Sequence, residues 1–282
     1  MQVPGAESLD FRDVEAFSTD FAYLLSAGPG DQSRIYKTTD GGRNWRLQFT
    51  NHDPKGFFDC IAFWDRDHGI ALGDPVAGKF ALITTNNGGD TWERIPSEGI
   101  PAAVEGEGAF AASGTCITVQ GNGNGNDNAW FATGGKAARV FHSSDRGKNW
   151  TVAETPIVHG NDSSGIFSIA FRDSLHGVIA GGDYKNPQQD GPNLAFTDDG
   201  GITWRLAPIS PQFYFSGVVW GRVSSPALLA VGSAHAACAG SSSDKSWEKT
   251  WDLNLNSVVY YAPGKAIAVG PKGVIVKFVI PR

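Results

Sequence analysis

Five of the nine tryptophans in this chain close one recurring pattern: hydroxyl, any residue, Asp or Asn, any residue, Gly, two residues, Trp. It appears as Thr38, Asp40, Gly42, Trp45, as Thr85, Asn87, Gly89, Trp92, as Ser143, Asp145, Gly147, Trp150, and as Thr197, Asp199, Gly201, Trp204. A shorter fifth copy keeps Ser242, Asp244 and Trp247. The tryptophans fall 47, 58, 54 and 43 residues apart, by subtraction of their numbers, and a fixed period of this size is the mark of a repeat architecture. The hydroxyl and the carboxylate can accept bonds from the backbone of their own turn, and the glycine supplies a positive φ. The indole can then leave the turn for the space between neighbouring sheets, burying roughly 200 Å². Buried tryptophans at equivalent sites are expected.

The flanks repeat as well. Two strand-like segments and a third leading into the box are followed by a short strand ending near proline, as in "FFDCIAF", "GIALGD", "FALITT" and "WERIP". Alternating apolar residues without helical periodicity indicate strands, and four strands per unit describe a propeller blade. The expected fold is all-β, a single β-propeller of about six or seven four-stranded blades over residues 1–282. Six blades are placed, at 6–50, 51–97, 98–156, 157–209, 210–252 and 253–282, and a seventh would precede Met1. The last unit lacks a box and a fourth strand. Residues 1–5, with "QVPG", resemble the tail of such a strand and are expected to complete that blade as its outer strand, removing an exposed edge. The 36 glycines and 15 prolines suit many tight turns.

Other features exclude function classes. With 23 basic against 29 acidic residues, net −6, a broad phosphate-binding face is not expected, so no nucleic-acid partner is assigned. No run reaches the roughly 18 apolar residues of a membrane span, and the N-terminus has no basic or apolar leader. Cys60, Cys116 and Cys238 form no metal-ligand pattern and at most one disulfide. Three buried small residues is the default reading. No cofactor and no metal are called for, and a monomer is expected.

The box resembles the Asp box, or bacterial neuraminidase repeat, of sialidases, xyloglucanases and sortilin-type receptors. The string of strand, "HG" turn, glycine-ended strand and "TTDGGRNW" is most similar to photosystem II stability and assembly factor-like propellers. That resemblance covers nearly the whole chain and implies a non-catalytic, exported scaffold that binds a protein or peptide. The box is specific for fold and poor for function. A sialidase would carry three substrate arginines, one in an aromatic-Arg-Ile-Pro motif ahead of the first box. Here Glu93 precedes Arg94, Ile95 and Pro96, and the tripeptide follows a box as a strand tail. A glycoside hydrolase with two opposed carboxylates, or a glycan binder, stays as the alternative.

Propeller sites usually gather where the loops before the first and after the second strand of each blade converge, opposite the boxes. That selects Arg12, Asp13, Glu15, Asp59, Asp74, Glu107, Lys136, Arg139, Asp183 and Tyr184 as candidate ligand-binding residues, with Lys55, Glu105 and Tyr214 nearby. The site is expected between blades one and four, with Asp59, Asp183 and Arg139 as rim residues of little weight for stability. No nucleophile–base pair stands out by spacing. His68 and His176, in "DRDHG" and "DSLHG", are read as turn caps. "GNGNGNDN" (121–128) opens no helix and is read as a loop.

Overall fold

The computed structural model describes residues 3–121, 127–207, 213–221, 228–233, 236–239 and 247–279. The chain is all-β. Sheet one holds β1 (Phe11–Ala16), β2 (Ala22–Ser26), β3 (Arg34–Thr38) and β4 (Arg46–Thr50) in chain order. Sheet two repeats this with β5 (Phe58–Phe63), β6 (Gly69–Val76), β7 (Lys79–Thr85) and β8 (Glu93–Arg94). After the short β9 (Glu107–Gly108), sheet three is built from β10 (Ile117–Gln120), β11 (Asn128–Ala132), β13 (Arg139–Ser143) and β14 (Thr151–Glu154). The two-residue β12 (Gly134–Gly135) leaves that order. It joins β9 to sheet four, whose own strands are β15 (Ser164–Phe171), β16 (Gly177–Asp183), β17 (Leu194–Thr197) and β18 (Arg205–Leu206). Sheet five holds β19 (Gly217–Trp220), β20 (Leu228–Val231), β21 (Ala236–Ala239) and β22 (Trp247–Trp251), and sheet six β23 (Ser257–Ala262), β24 (Lys265–Gly270) and β25 (Val274–Val279).

All ladders pair antiparallel, and each consecutive pair of sheets encloses an apolar layer. Tyr23, Leu25 and Ile35 meet Ile61 and Phe63 between sheets one and two. Leu72, Phe80, Phe131 and Phe141 fill the next layer, and Trp130, Ile166 and Ile179 the third. Later layers follow the same rule. Val178 and Leu194 meet Phe215, Val218 and Leu228, and Leu229 and Val231 meet Tyr260 and Phe278. Blades packed face to face in this way make a β-propeller. Five sheets have the full four strands, whereas sheet six is described with three, so the expected six or seven complete blades become five and a three-stranded sheet.

The boxes behave as the repeat requires. In the first, Gly42 N donates to Thr38 Oγ1 (2.9 Å), Thr38 Oγ1 donates to Asp40 Oδ1 (2.9 Å), and Asn44 N donates to Asp40 Oδ1 (2.9 Å). The same bonds recur at Thr85 and Asn87, Ser143 and Asp145, and Thr197 and Asp199. Where the other boxes use a glycine in the left-handed region, the third uses Arg146 at φ 61°. Its guanidinium holds Asp127 (Nε to Oδ2, 2.5 Å), offsetting the backbone cost. Trp150 and Trp204 are buried and donate Nε1 to Gly147 and Gly201 carbonyls (2.7 and 3.2 Å). Trp45 and Trp92 are half-buried against the layers of sheet one and sheets one and two. Ser242 and Asp244 lie outside the described residues, as do the glycines and asparagines of 122–126, and of Trp247 only its place in β22 is described.

Two expectations need correction. Residues 3–5 form no strand on sheet six. Val3 and Ala6 instead pack on sheet one against Tyr36, Leu24 and Trp45, where the sheet presents an apolar face. Gln2 lies outside the described residues. Cys60 and Cys116 are not separate small residues: they are joined as a disulfide with Cα atoms 6.2 Å apart, linking sheet two to the start of sheet three. Cys238 lies in β21.

Candidate functional site

The segment from Ala109 to Cys116 runs between sheets two and three in sequence, yet it touches the inner strands of nearly the whole ring. Ala109 N donates to Asp74 Oδ1 (2.9 Å), and Arg12 Nη1 donates to Ala111 O (3.0 Å). Ser257 Oγ of sheet six donates to Ser113 O (2.9 Å). Ser113, Thr115 and Ser168 hydroxyls stand 2.6 Å apart in a chain that ends on Val218 N of sheet five (2.9 Å). Direct contacts to sheets one, two, four and six, and a relay through Ser168 to sheet five, place this eight-residue segment across the centre of the ring.

On the side away from the boxes, this segment floors a cavity of about 750 Å³. Its walls are Lys55 before β5, Asp74 at the end of β6, Glu105 to Phe110, Gly134 and Gly135 of β12, and Asp162 before β15. Backbone approach is unusually close here. Gly134 pairs with both Gly108 and Gly165, and a Cβ on Gly165 would collide with the Gly134 Cα, so only glycine fits at this seam. Phe110 lies flat on Phe167, with ring centroids 4.0 Å apart.

The candidate residues separate into three groups. Asp74 lines the cavity, and burial raises its pKa. Glu107 also lines it, but it is consumed by Arg139: Nε reaches Oε1 at 2.9 Å and Nη2 reaches Oε2 at 2.5 Å. Thr133 Oγ1 and Val104 N complete the carboxylate's partners. The second group lies on β1 and β5. Asp13 Oδ2 accepts from Ile61 N (2.7 Å), and burial pushes its carboxyl well above the usual range. Burial raises Glu15 to about 7. Asp59 is 1% exposed, its Oδ2 has no partner, and burial followed by the Asp74 charge drives its pKa up. Arg12 pairs with Asp10.

Asp183, Tyr184 and Lys136 form the third group, outside the cavity lining. Asp183 accepts from Lys185 N and Asn186 Nδ2, both at 2.9 Å. Although burial opposes it, its side-chain and backbone bonds lower its pKa overall. Tyr184 is exposed and meets Phe167 edge-on, and Lys136 Nζ donates to Gly160 O (2.9 Å). Asp59, Asp183 and Arg139 are therefore not light rim residues: all three are buried. Their charges face partners or the interior, so substitution will register in stability. His68 and His176 do cap turns, each through its ring Nδ1 to Asp65 and Asp173.

Sequence reasoning singled out neither Gly134, Gly135 and Phe110 nor Asp162. Glycines in "ATGGKAA" and the charge in "GNDSS" are the available signal, and both resemble ordinary loop composition. Among the described residues, no group of His, Cys, Asp or Glu is arranged to hold a metal ion, and no helix is long and apolar enough to cross a membrane.

No family model matches the chain. The "Photosystem II assembly lipoprotein Ycf48" of Synechococcus sp. (strain CC9902) is 26% identical over 235 residues, 73% of this chain and 66% of that protein. The protein of the same description from Nostoc sp. is 26% identical over 207 residues, 71% of this chain and 50% of that one. Among solved structures, YCF48 bound to D1 peptide aligns over 99% of this chain and 80% of that chain, with a TM-score of 0.66 and 16% identity. The chain is similar to photosystem II assembly propellers. It spans about half to two thirds of the length of these curated relatives. A GH74 enzyme of Niastella koreensis shares the fold too, at TM-score 0.69 and 14% identity over 93% of this chain and 41% of that one.

Proposed function

We propose that this protein is a non-catalytic propeller that binds an extended peptide or protein segment in the cavity opposite the boxes. The observation that carries the reading is the glycine-walled cavity itself. Gly106, Gly108, Gly134 and Gly135 border the space with main chain rather than side chains, and recognition of an extended peptide draws on main-chain groups. Of the charges facing the space, Glu107 is neutralised by Arg139, which leaves Asp74, Glu105 and Asp162 against Lys55. The surplus of carboxylates suits a segment rich in N–H donors or bearing a cationic side chain. Similarity to Ycf48 proteins, one of them solved with D1 peptide, supports the same class of ligand.

The disulfide supports an exported location, since such bonds persist in oxidising compartments, and the curated relatives are described as lipoproteins. The ring is read as six blades, the last completed by a strand that the described residues do not supply. The glycan-binding or glycoside-hydrolase alternative rests on the shared fold with GH74.

The test is a peptide array of overlapping fifteen-residue segments from the secreted and membrane proteins of the source organism, run beside a glycan array. Peptides should bind, and Glu105→Lys combined with Asp162→Lys, which removes the surplus of carboxylates at two exposed positions, should weaken them at least tenfold without moving Tm. A box-face change such as Asp65→Ala should leave binding intact. Capture of glycans alone would overturn the reading.

A further inference from the structure

The central segment, Ala109 to Cys116, is a strap fixed at both ends. Just ahead of it, Gly108 of β9 pairs with Gly134 of β12, and at its far end Cys116 is bonded to Cys60 of β5. Between these anchors it belongs to no strand and is held by single bonds. Ala109 N donates to Asp74 Oδ1 (2.9 Å), and Ile169 N donates to Thr115 O (2.9 Å). Gly114, at φ 72°, lies so near β1 that a Cβ there would collide with the Asp13 carboxyl.

The carboxyls beside the strap have no cation. Asp13 Oδ2 accepts from Ile61 N (2.7 Å), and Glu15 follows on the same strand. Asp59 is 1% exposed with Oδ2 unpartnered. It is next to both of the strap's attachments to sheet two: it precedes Cys60 in sequence, and it feels the charge of Asp74, which holds Ala109. Among the described residues, none of Asp13, Glu15, Asp59 and Asp74 forms an ion pair. Arg12 is taken by Asp10 and Arg139 by Glu107, while Lys55, Glu105 and Asp162 stand at the cavity wall. β10, β15 and β19 carry no titratable side chain. On β23, Tyr260 turns into the layer with sheet five and Tyr261 is exposed.

A covered carboxyl without a cation keeps its proton, because ionisation would leave an unsolvated charge. Burial accordingly pushes Asp13 and Asp59 well above the usual carboxylate range. Water can reach such a group only if its cover moves. β1 and β5 are fixed in their ladders, so the cover that can yield is the strap.

We infer that the 109–116 strap is a proton-controlled floor of the cavity: it is seated while Asp13 and Asp59 are protonated, and their ionisation lifts it and withdraws Ala109 and Phe110 from the cavity wall. This rests on the cavity being the peptide site and assigns that site's regulation. Each ionisation releases one proton to solvent. The seated strap binds more protons than the lifted one, so seating is fully supported below the ordinary carboxyl value near 3.8. It is lost as pH rises through the raised values of the seated state. Peptide binding is therefore favoured by acid.

The test is hydrogen exchange of the whole protein, corrected for the intrinsic pH dependence of amide exchange. Protection at 111–116 should fall at least tenfold between pH 5 and pH 8, while amides of β11 and β16, which open with the whole fold, stay slower throughout. Asp13→Asn with Asp59→Asn keeps both shapes and should hold the strap protected at pH 8. Gly114→Ala crowds Asp13 without changing a titratable group and should loosen the strap even at pH 5. The tightest histidine-free peptide from the array should bind at least tenfold more weakly at pH 8 than at pH 5, and the paired Asn variant should remove that loss. Three exchange results overturn the inference: a strap as protected as β11 and β16, protection independent of pH, or an Asn pair that behaves like the wild type at pH 8. Peptide affinity that ignores pH while the strap responds overturns its control of the cavity. A strap that responds to pH in a protein that captures no peptide would instead sink the peptide reading and leave the switch standing.

Discussion

Arg139 and Glu107, thirty-two residues apart in sequence, form a two-pronged ion pair with both side chains almost fully withdrawn from water. The pair ties β9 to the start of β13, and Arg139 Nη2 adds a bond to Ala102 O (2.9 Å). It is the clamp behind the cavity wall.

Removing one partner of a buried pair strands the other charge, at about 3–5 kcal/mol. Arg139→Ala and Glu107→Ala should each destabilise the fold by that order in urea denaturation. The double variant should cost less than the two losses added, because the interaction is shared. Additive losses would mean the pair is not coupled.

The disulfide makes a second prediction. Cys60 and Cys116 are both fully buried and 56 residues apart, and closing a loop of that size is worth about 2–4 kcal/mol. Reduction in the presence of denaturant, or Cys60→Ser with Cys116→Ser, should lower Tm by several degrees. The central segment should exchange faster at its amides, since Cys116 ends it. The half-buried outer strands of sheet one should be unaffected.

Different parts of this molecule were legible to different degrees in the sequence. The boxes were readable because the bonds that define them are local: Thr38, Asp40 and Asn44 lie within seven residues and bond to one another. The blades followed from their period. The central segment was hidden, because Ser113 meets Ser257 144 residues away, and such a crossing leaves no periodicity. For the same reason the partnership of Glu107 with Arg139 could not be seen, so both looked like free charges at a mouth. Asp59 appeared as a rim residue because strand starts usually face solvent, whereas here it is buried within sheet two near the Asp74 carboxylate. The incomplete last unit was visible as a missing box.

The tryptophans give a graded prediction. Trp150 and Trp204 are buried with satisfied indole N–H groups, and their replacement by Ala should cost about 3–5 kcal/mol. Trp45 and Trp92 keep part of their surface in water, so less apolar area is at stake and the loss should be smaller. Chemical denaturation of the four single variants checks the order. Equal losses at all four sites would show that burial of the indole does not govern the staple.

The last prediction concerns pH and has two limbs of opposite sign. Box carboxylates are held below their usual value by hydrogen bonds within their turns, Asp40 and Asp145 among them, and Asp199 stands at about 2. Such groups stabilise the fold above the unfolded value near 3.8, and that contribution is lost as pH falls toward 2. The carboxyls near the central segment behave in reverse. Burial raises Asp13, Asp59 and Asp74, and takes Glu15 from 4.5 to about 7. The folded state therefore binds more protons than the unfolded chain between about pH 4 and 7. The stability these groups retain when protonated is full below the unfolded value and is lost as pH rises through the folded one. Stability should thus peak at about pH 4 and decline toward pH 8, as read by Tm across buffers of constant ionic strength. Asp59→Asn removes a buried acid whose Oδ2 has no partner, and Glu15→Gln removes the group that titrates near 7. Each should raise Tm at pH 8 more than at pH 5 and flatten the alkaline limb. A wild-type profile that climbs steadily from pH 5 to 8 would show that the channel carboxyls are solvated and ionised.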